Sequence, residues 1–393
     1  MSRTLPGMVI VVALLLTGMV TSCGVSAPTK GDLTVYVAAP LSGWQADGGQ
    51  TVVGGARLAA EEINRRGGLL GYRVKIVPID DEADSDVAAE VANEIAEAVR
   101  GGERVLGVIG HYNSGQAAAG LEIYKDLPII VITPTASDPS LTQKGYRNFF
   151  RVNATDAAQG PYDAEFLVNG LGAERIVLVY AQNDYGVGLK AQMEAALDSL
   201  GRSPVEIIAI EEAADTHAHI IPRIKAANPD AIFLAGYETE GYILLPELRE
   251  AGIEATFMAG DGCFLYEFID GSGQWAEGVY VSGITPDPKV VADDKWWRAY
   301  QTVETRNPGT YSIAGYSAMT VLASGVTHAR SLDAAAISQS LREIDISTLV
   351  GLVRYDDKGD LTDQRVYIFQ VRDGDYVQVG DVAEPRRPAP EGG

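Results

Sequence analysis

The sequence predicts an α/β chain of two doubly wound lobes, each a parallel sheet with helices on both faces. Three observations predict it. Short β-branched apolar runs alternate with longer segments of helical spacing, the pattern of strand and crossover helix around a parallel sheet. The same rhythm restarts after about residue 155. The length past the N-terminal leader suits two ordinary domains rather than one.

In the first unit, residues 33–38 are β-branched and apolar throughout, as in a strand buried on both faces. Residues 52–64 place Val52, Ala56, Ala59, Ala60 and Ile63 at helical spacing and end at Gly67-Gly68, which fits a left-handed helix cap. A strand at 74–79, a helix at 86–99, a strand at 105–109, a helix near 114–124 and a short strand at 129–132 follow. The second unit reads as a helix at 156–169 and a strand at 176–180, then a helix at 188–200 and a strand at 205–210. It continues with a helix at 217–227, a strand at 231–235, a helix at 241–251 and a strand at 256–258. The end departs from this rhythm, with helices near 296–305, 313–329 and 334–343 and strands at 366–371 and 376–379. A Pro/Gly-rich tail at 384–393 is expected to be disordered.

The N-terminus reads as a leader. Arg3 precedes an apolar or small stretch at 8–20, shorter than the roughly 20 residues a spanning helix needs. It ends in Val20-Thr21-Ser22-Cys23, a pattern that resembles a bacterial lipobox. That resemblance implies removal of 1–22, lipidation of Cys23 as the first mature residue, and a membrane anchor. The Ser/Gly/Pro/Thr segment up to Gly31 then reads as a flexible tether, 23–31.

Charge and cysteine usage narrow the function. With 31 basic against 53 acidic residues the net charge is −22, so nucleic acid is excluded as a main partner. Past the leader Cys263 stands alone, which rules out an intramolecular disulfide or a cysteine metal cluster and suits a small buried residue.

Ligands of open parallel sheets bind beyond the carboxyl ends of the strands. In the first lobe those ends carry Leu41-Ser42-Gly43-Trp44, His111-Tyr112-Asn113-Ser114-Gly115 and Thr133-Pro134-Thr135-Ala136-Ser137. In the second they carry Asn183-Asp184-Tyr185-Gly186, Tyr237-Glu238-Thr239 and Gly260-Asp261-Gly262. Hydroxyls collect on one side, tyrosines and carboxylates on the other, which suits a zwitterion. Ser114 opens a helix, where free amides favour a carboxylate. Thr135 and Ser137 add hydroxyls that donate to it or accept from an amine. Asp261 neutralises an ammonium, and Tyr185 and Tyr237 offer flat apolar faces with polar tips.

The run from Gly55-Ala56-Arg57-Leu58-Ala59-Ala60-Glu61-Glu62-Ile63-Asn64 through Arg65-Arg66-Gly67-Gly68-Leu69-Leu70-Gly71 resembles the first-helix motif of type I periplasmic binding proteins. Within that group it is similar to the leucine/isoleucine/valine-binding branch of branched-chain amino-acid transport. Val108-Ile109-Gly110-His111, Ile132-Thr133-Pro134-Thr135-Ala136-Ser137, Gln159-Gly160-Pro161, Asp184-Tyr185-Gly186-Val187-Gly188 and Asp357-Lys358-Gly359-Asp360 match further. The resemblance implies Rossmann-like lobes joined by a three-strand hinge, near 154–156, 283–286 and 354–356. The lobes would then be 32–154 with 285–354, and 155–284 with 355–383. It implies that Ser114, Thr135 and Ser137 hold the ligand's carboxylate and amine, and that Tyr185, Tyr237 and Asp261 close over it. It also implies an extracytoplasmic, monomeric binder without cofactor that delivers its ligand to the membrane subunits of an ABC importer.

Three departures bear on specificity. Gly48 stands where relatives present a bulky aromatic, with Trp44 nearby as a substitute. Tyr112 and Tyr311 occupy positions that look like the side-chain pocket, which is more aliphatic or phenylalanine-like in leucine binders. Asn113 stands where some relatives carry a disulfide cysteine. A ligand larger or more polar than leucine fits these changes, and amides, urea and aromatic acids are bound within the wider group.

Enzyme motifs are missing: there is no Gly-x-Ser-x-Gly elbow, P-loop or His-Glu-x-x-His helix. His217 and His219 read as solvated surface, and His111 has no nucleophile beside it in the motifs. The rival function is a ligand-sensing lipoprotein that signals to a separate membrane partner.

Overall fold

In the computed structural model, which describes residues 27–379, the first lobe is β1 (Asp32–Ala39), α1 (Ala46–Arg65), β2 (Arg73–Asp80), α2 (Ser85–Arg100), β3 (Val105–Gly110), α3 (Ser114–Tyr124), β4 (Ile130–Thr133), the one-turn α4 (Ser140–Gln143) and β5 (Phe149–Arg151). Its five strands pair in parallel in the order β2-β1-β3-β4-β5. Side chains alternate across β1. Val35 and Val37 pack on the α1 side with Val52 and Ala56, while Tyr36 and Ala38 pack on the α2–α3 side with Ile95 and Leu121. Both faces are therefore apolar, which is why this strand reads as an unbroken hydrophobic run.

The second lobe begins with α5 (Asp156–Glu165) and continues through β6 (Ile176–Ala181), α6 (Asp184–Ser199), β7 (Glu206–Ile210), α7 (Ile221–Ala227), β8 (Ala231–Ala235), α8 (Glu238–Glu250), β9 (Thr256–Ala259), α9 (Tyr266–Ser272) and β10 (Tyr280–Gly283). The chain then returns to the first lobe with α10 (Pro288–Val291), α11 (Asp294–Glu304), α12 (Ser312–Ala329), α13 (Ala334–Glu343) and the small hairpin β11 (Ile346–Thr348) and β12 (Gly351–Val353). It crosses once more to add β13 (Tyr367–Arg372) and β14 (Asp375–Gln378) to the second sheet, whose order is β14-β13-β10-β9-β8-β6-β7. β13 runs antiparallel to both neighbours; the rest is parallel.

α12 lies against α1 so closely that glycine is required on both. A Cβ on Gly55 would sit 1.9 Å from the Ser312 carbonyl oxygen, and one on Gly315 would sit 2.0 Å from that of Val52. The three interlobe segments run side by side. The Ala154 amide donates to the Ile284 carbonyl (3.4 Å), the Thr155 amide and hydroxyl donate to Gln364 Oε1 (2.8 and 2.7 Å), and Ala154, Ile284 and Val366 pack together.

Several elements differ from the expectations. α1, α6 and α8 begin six, four and three residues earlier than the apolar spacing predicts. Their first turns are polar or glycine-rich; α6 and α8 are held by capping, where Asn183 Oδ1 accepts from Gly186 N and Glu240 Oε2 from Tyr237 N, while α1 has no side-chain cap. The helix expected at 217–227 is a 3-10 turn (Ala218–Ile220) followed by α7. α5 ends at Glu165, and a π turn over Phe166–Gly170 completes the expected segment. The strands β5, β10, β11 and β12, of three or four residues, were not expected. His217 is buried rather than solvated, and burial lowers its pKa. The part of the expected tether that is described is not free: the Thr29 and Lys30 amides donate to the Gly71 carbonyl, and Lys30 lies over the Tyr72 ring. The leader, Cys23 and the tail 384–393 lie outside the described residues. Among those described, no helix is long and apolar enough to cross a membrane.

Candidate functional site

Both sheets contain the parallel order 2-1-3-4-5, β7-β6-β8-β9-β10 in the second, and in this order a crevice opens at the carboxyl ends where the winding reverses. In the first lobe that point lies between β1 and β3, and in the second between β6 and β8. Ser114 follows β3, Tyr185 follows β6 and Tyr237 follows β8. The two crevices face each other across a small cavity. Its wall is Tyr112, Asn113, Ser114, Thr135, Ala136 and Ser137 from the first lobe, Tyr185, Tyr237, Asp261 and Gly262 from the second, and Tyr311 before α12. The lobes are shut over it, with the Tyr311 hydroxyl donating across the cleft to the Asp261 carbonyl at 2.7 Å.

The hydrogen bonds already made assign a polarity to each hydroxyl. Ser114 Oγ accepts from the Ser137 and Asp138 amides (3.3 and 3.2 Å), so its own hydrogen stays free to donate. It stands at the start of α3, where the N-cap residue Asn113 makes no side-chain cap and the first amides have no helical acceptor. These available donors suit an anion chemically. Thr135 Oγ1 is the reverse case: it donates to the Tyr112 carbonyl (2.5 Å) and keeps its lone pairs for an incoming donor. Arg151, fully buried, holds the 133–138 loop in place by donating to the Ala136 and Asp138 carbonyls (2.9 and 3.1 Å).

The second lobe contributes an acid to the same wall, a group that suits a cation chemically. Asp261 Oδ1 accepts from the Tyr185 hydroxyl at 2.7 Å, which itself accepts from Gly262 N (3.0 Å). No Lys, Arg or His lines the cavity. Burial pushes Asp261 up to about 6, against hydrogen bonds from Tyr185, Gln159 and Tyr311 that lower it. Burial, then the charge of Asp261, raises Asp156 well above the carboxylate range, with the Ser137 hydroxyl opposing. Burial also raises Tyr185, Tyr237, Tyr112 and Tyr311, each further by nearby carboxylates, so all four remain phenols. Beside this cavity lies a second space of about 530 Å³ that shares Tyr185 and Tyr237 and is lined by Asp84 of the first lobe and Asp184 and Glu212 of the second.

Of the expected site residues, the structure brings Ser114, Thr135, Ser137, Tyr185, Tyr237, Asp261, Tyr112 and Tyr311 to one cavity. Trp44 is not part of its wall; the indole lies against the Tyr237 ring instead, 5.7 Å between centroids. Gly48 is explained by Tyr112, whose hydroxyl would lie 2.7 Å from a Cβ at that position. The tyrosine fills the room that a larger residue at 48 would take. His111 is held by Asp81 (Nδ1 to Oδ2, 2.7 Å) and Tyr124 (Nε2 to Oη, 3.1 Å) and does not line the cavity. Cys263 is buried and free, its thiol raised by burial. Sequence reasoning missed Gln45 and Asp156 as parts of this region, and it placed Glu238 at a strand end without giving it a role. Gln45 directly follows Trp44, which it did select, and that adjacency was the available signal.

Shutting the cleft is expected to be linked to protons. Asp261 and Asp156 are raised in the shut form as described, and Glu238 is raised well above its usual range by burial foremost. Glu212 is raised by burial first, with Asp184 and Asp84 adding. In an open, solvated cleft these groups are expected to return toward ordinary values, so that closing would take up protons. Their contribution to the shut form is complete below the ordinary carboxylate range and is lost as pH rises, through about 6 for Asp261. The ligand-free protein is therefore expected to become more compact between about pH 7.5 and about pH 5.5, read as a smaller radius of gyration by small-angle scattering. An unchanged radius would count against the linkage.

Comparison with known proteins places the chain. The family model described as periplasmic binding protein matches residues 33–375. An amino acid binding protein of Pseudomonas aeruginosa is 28% identical over 359 residues, 91% of this chain and 95% of the relative. The Leu/Ile/Val-binding protein of Escherichia coli K12 is 29% identical over 330 residues, 84% of this chain and 88% of the relative. Among solved structures, a leucine binding protein from Thermotoga maritima superimposes with a TM-score of 0.81 at 26% identity, covering 90% of this chain and 99% of that one. With the interleaved two-lobe fold and the interlobe cavity in view, the chain belongs to the type I periplasmic binding proteins, in the family that includes the leucine/isoleucine/valine-binding proteins.

Proposed function

We propose that this chain is the extracytoplasmic substrate-binding lipoprotein of an ABC importer, anchored through Cys23, and that its ligand is a small α-amino acid held between the lobes. The observation that carries the amino acid is the fixed polarity of the wall. Ser114 has a hydrogen left to give beside free helix amides. Thr135 has lone pairs left, and Asp261 in the same wall is a buried carboxyl with no cation among the lining residues. A zwitterion supplies the complement of both ends at once, and a neutral or purely anionic ligand supplies at most one.

In this reading the first lobe takes the carboxylate in an open state. Rotation about the three interlobe segments then brings Tyr185, Tyr237 and Asp261 over the ammonium. At neutral pH an empty cleft resists closing because an unpaired carboxylate would be buried. The ligand's ammonium removes that obstacle, so closure follows occupancy. The shut form presents one surface from each lobe to the membrane subunits. None of these steps forms or breaks a covalent bond, and the protein acts as a binder rather than an enzyme.

A thermal-shift screen of the mature protein tests the ligand class. An α-amino acid at about 100 times its dissociation constant is expected to add about 2.7 kcal/mol of stability, seen as a higher melting temperature. The matching α-keto acid and primary amine are expected to add far less. Equal shifts with the keto acid would remove the role given to Asp261. Separately, replacing Cys23 with alanine is expected to release the protein from the membrane fraction.

A further inference from the structure

We propose that the interlobe space beside the ligand cavity is a second subsite, for a cationic group, and that the ligand is an α-amino acid whose side chain ends in an ammonium or guanidinium. The inference rests on the zwitterion reading above and extends it from the head of the ligand to its side chain. The second space is the larger of the two. Tyr185 and Tyr237 line both, and Ser114 in the wall of the first is followed directly by Gly115 and Gln116 in the wall of the second. A ligand whose carboxylate sits at Ser114 therefore has this space next to it, along two tyrosine rings that stack 5.0 Å apart.

Both lobes put carboxyls into the space, Asp84 from the first and Asp184 and Glu212 from the second. No Lys, Arg or His is among the lining residues, and among the described residues none of the three acids is in an ion pair. Their bonds are to neutral donors. Asp84 Oδ1 accepts from the Asp86 and Val87 amides (2.7 and 3.2 Å), and Glu212 Oε1 accepts from Asn183 Nδ2 (2.8 Å). Asp184 reaches across the cleft to the first turn of α3, where a Cβ on Gly115 would lie 3.2 Å from its Oδ2. Shutting the cleft thus gathers three like charges from two lobes, which opposes closure unless a cation joins them.

Acids at the rim of a cleft are commonly no more than a solvated surface, and Gln116 argues against that here. It is 7% exposed, it lines the same space, and among the described residues its amide has no hydrogen-bond partner. A buried amide left unpaired is costly. Its carbonyl oxygen is a neutral acceptor added to three charged ones, and an ammonium or guanidinium serves all of them together. The aliphatic stem of such a side chain has the tyrosine faces to lie on while its charged end reaches the acids. Among the described residues no three acid, imidazole or thiol groups converge to hold a metal ion, which favours a cation carried by the ligand over a bare one.

The test is calorimetry of the mature protein at neutral pH with length-matched pairs: lysine against norleucine, arginine against citrulline, and alanine as the reference without a long side chain. Lysine or arginine is expected to bind at least about tenfold tighter than its neutral partner, with the ratio shrinking as salt is raised. In the double variant Asp184→Asn, Glu212→Gln, which keeps shape and leaves Asn183 an acceptor, the ratio is expected to fall toward one. Gln116→Leu keeps every charge and is expected to weaken the cationic member of a pair more than the neutral one. Acids that merely hold the lobes apart would, once neutralised, tighten both members alike and leave the ratio unmoved. That outcome, or norleucine and citrulline binding as tightly as lysine and arginine in the wild type, would overturn the inference while leaving the zwitterion reading intact. So would norleucine binding that tightens with added calcium and shows no preference for lysine, which would assign the space to a free ion. Absence of binding by every amino acid, alanine included, would overturn both.

Discussion

Replacing Asp261 with alanine is expected to weaken amino-acid binding by about 150- to 5,000-fold, the equivalent of about 3–5 kcal/mol for stripping a buried charge of its partner. The estimate applies because the Asp261 carboxyl is 5% exposed and the cavity wall offers no other charged acceptor for the ammonium. Thr135 and the tyrosines remain, but neutral oxygens replace little of a charge-assisted hydrogen bond. The effect should fall on ligand binding and not on folding. Without ligand Asp261 is itself an unpaired buried acid, raised to about 6, so its removal is expected to leave the unliganded protein at least as stable. Titration calorimetry together with a thermal melt of the empty protein separates the two quantities. A dissociation constant within about threefold of wild type would remove Asp261 from the ammonium site.

Arg151→Met is expected to lower folding stability by about 3–5 kcal/mol, the usual loss when one member of a buried ion pair is removed. Arg151 Nε lies 2.7 Å from Asp360 Oδ1, with the two side chains 0% and 15% exposed. The same guanidinium satisfies the Ala136 and Asp138 carbonyls, which would be left without donors. The pair also ties β5 to the loop that leads into β13, so the variant loosens the 133–138 loop and the third interlobe segment together. Arg151→Lys keeps the charge but cannot reach three acceptors with a planar fork, and is expected to recover only part of the loss. Urea unfolding of both variants measures this. A loss below about 1 kcal/mol for the methionine variant would mean that the pair behaves as an exposed one.

Much of the fold was legible because parallel strands buried on both faces cannot hide. β1, β3, β6 and β8 are runs of β-branched and apolar residues, and only such runs fit between two helical layers. Helix starts were less legible, since the first turns of α1, α6 and α8 are set by caps and glycines rather than by an apolar stripe. β5 and β10 were lost because three or four residues carry too little pattern to be told from a loop. The cleft residues that directly follow strands were found by the carboxyl-end rule, which is a property of winding and not of side-chain identity. His217 was misread because two histidines beside polar residues look solvated in a sequence, and burial there depends on what packs over the turn.

The sequence by itself determined the lobes' sheets, the strand ends that carry the cleft, and the chemistry available there: hydroxyls on one side, tyrosines and carboxylates on the other. Those follow from local pattern and from residue type, which every chain states openly. Only the tertiary structure decided how each group is used. It spends the Ser114 lone pairs on two amides and the Thr135 hydrogen on a carbonyl, and so turns two similar hydroxyls into a donor and an acceptor. It lets Gly48 make room for Tyr112, turns Trp44 onto Tyr237, and sets Gln45 of one lobe against Glu238 of the other. Each of these is a contact between residues far apart in the chain, and hydrogen-bond polarity and burial are properties of the contact rather than of either residue alone.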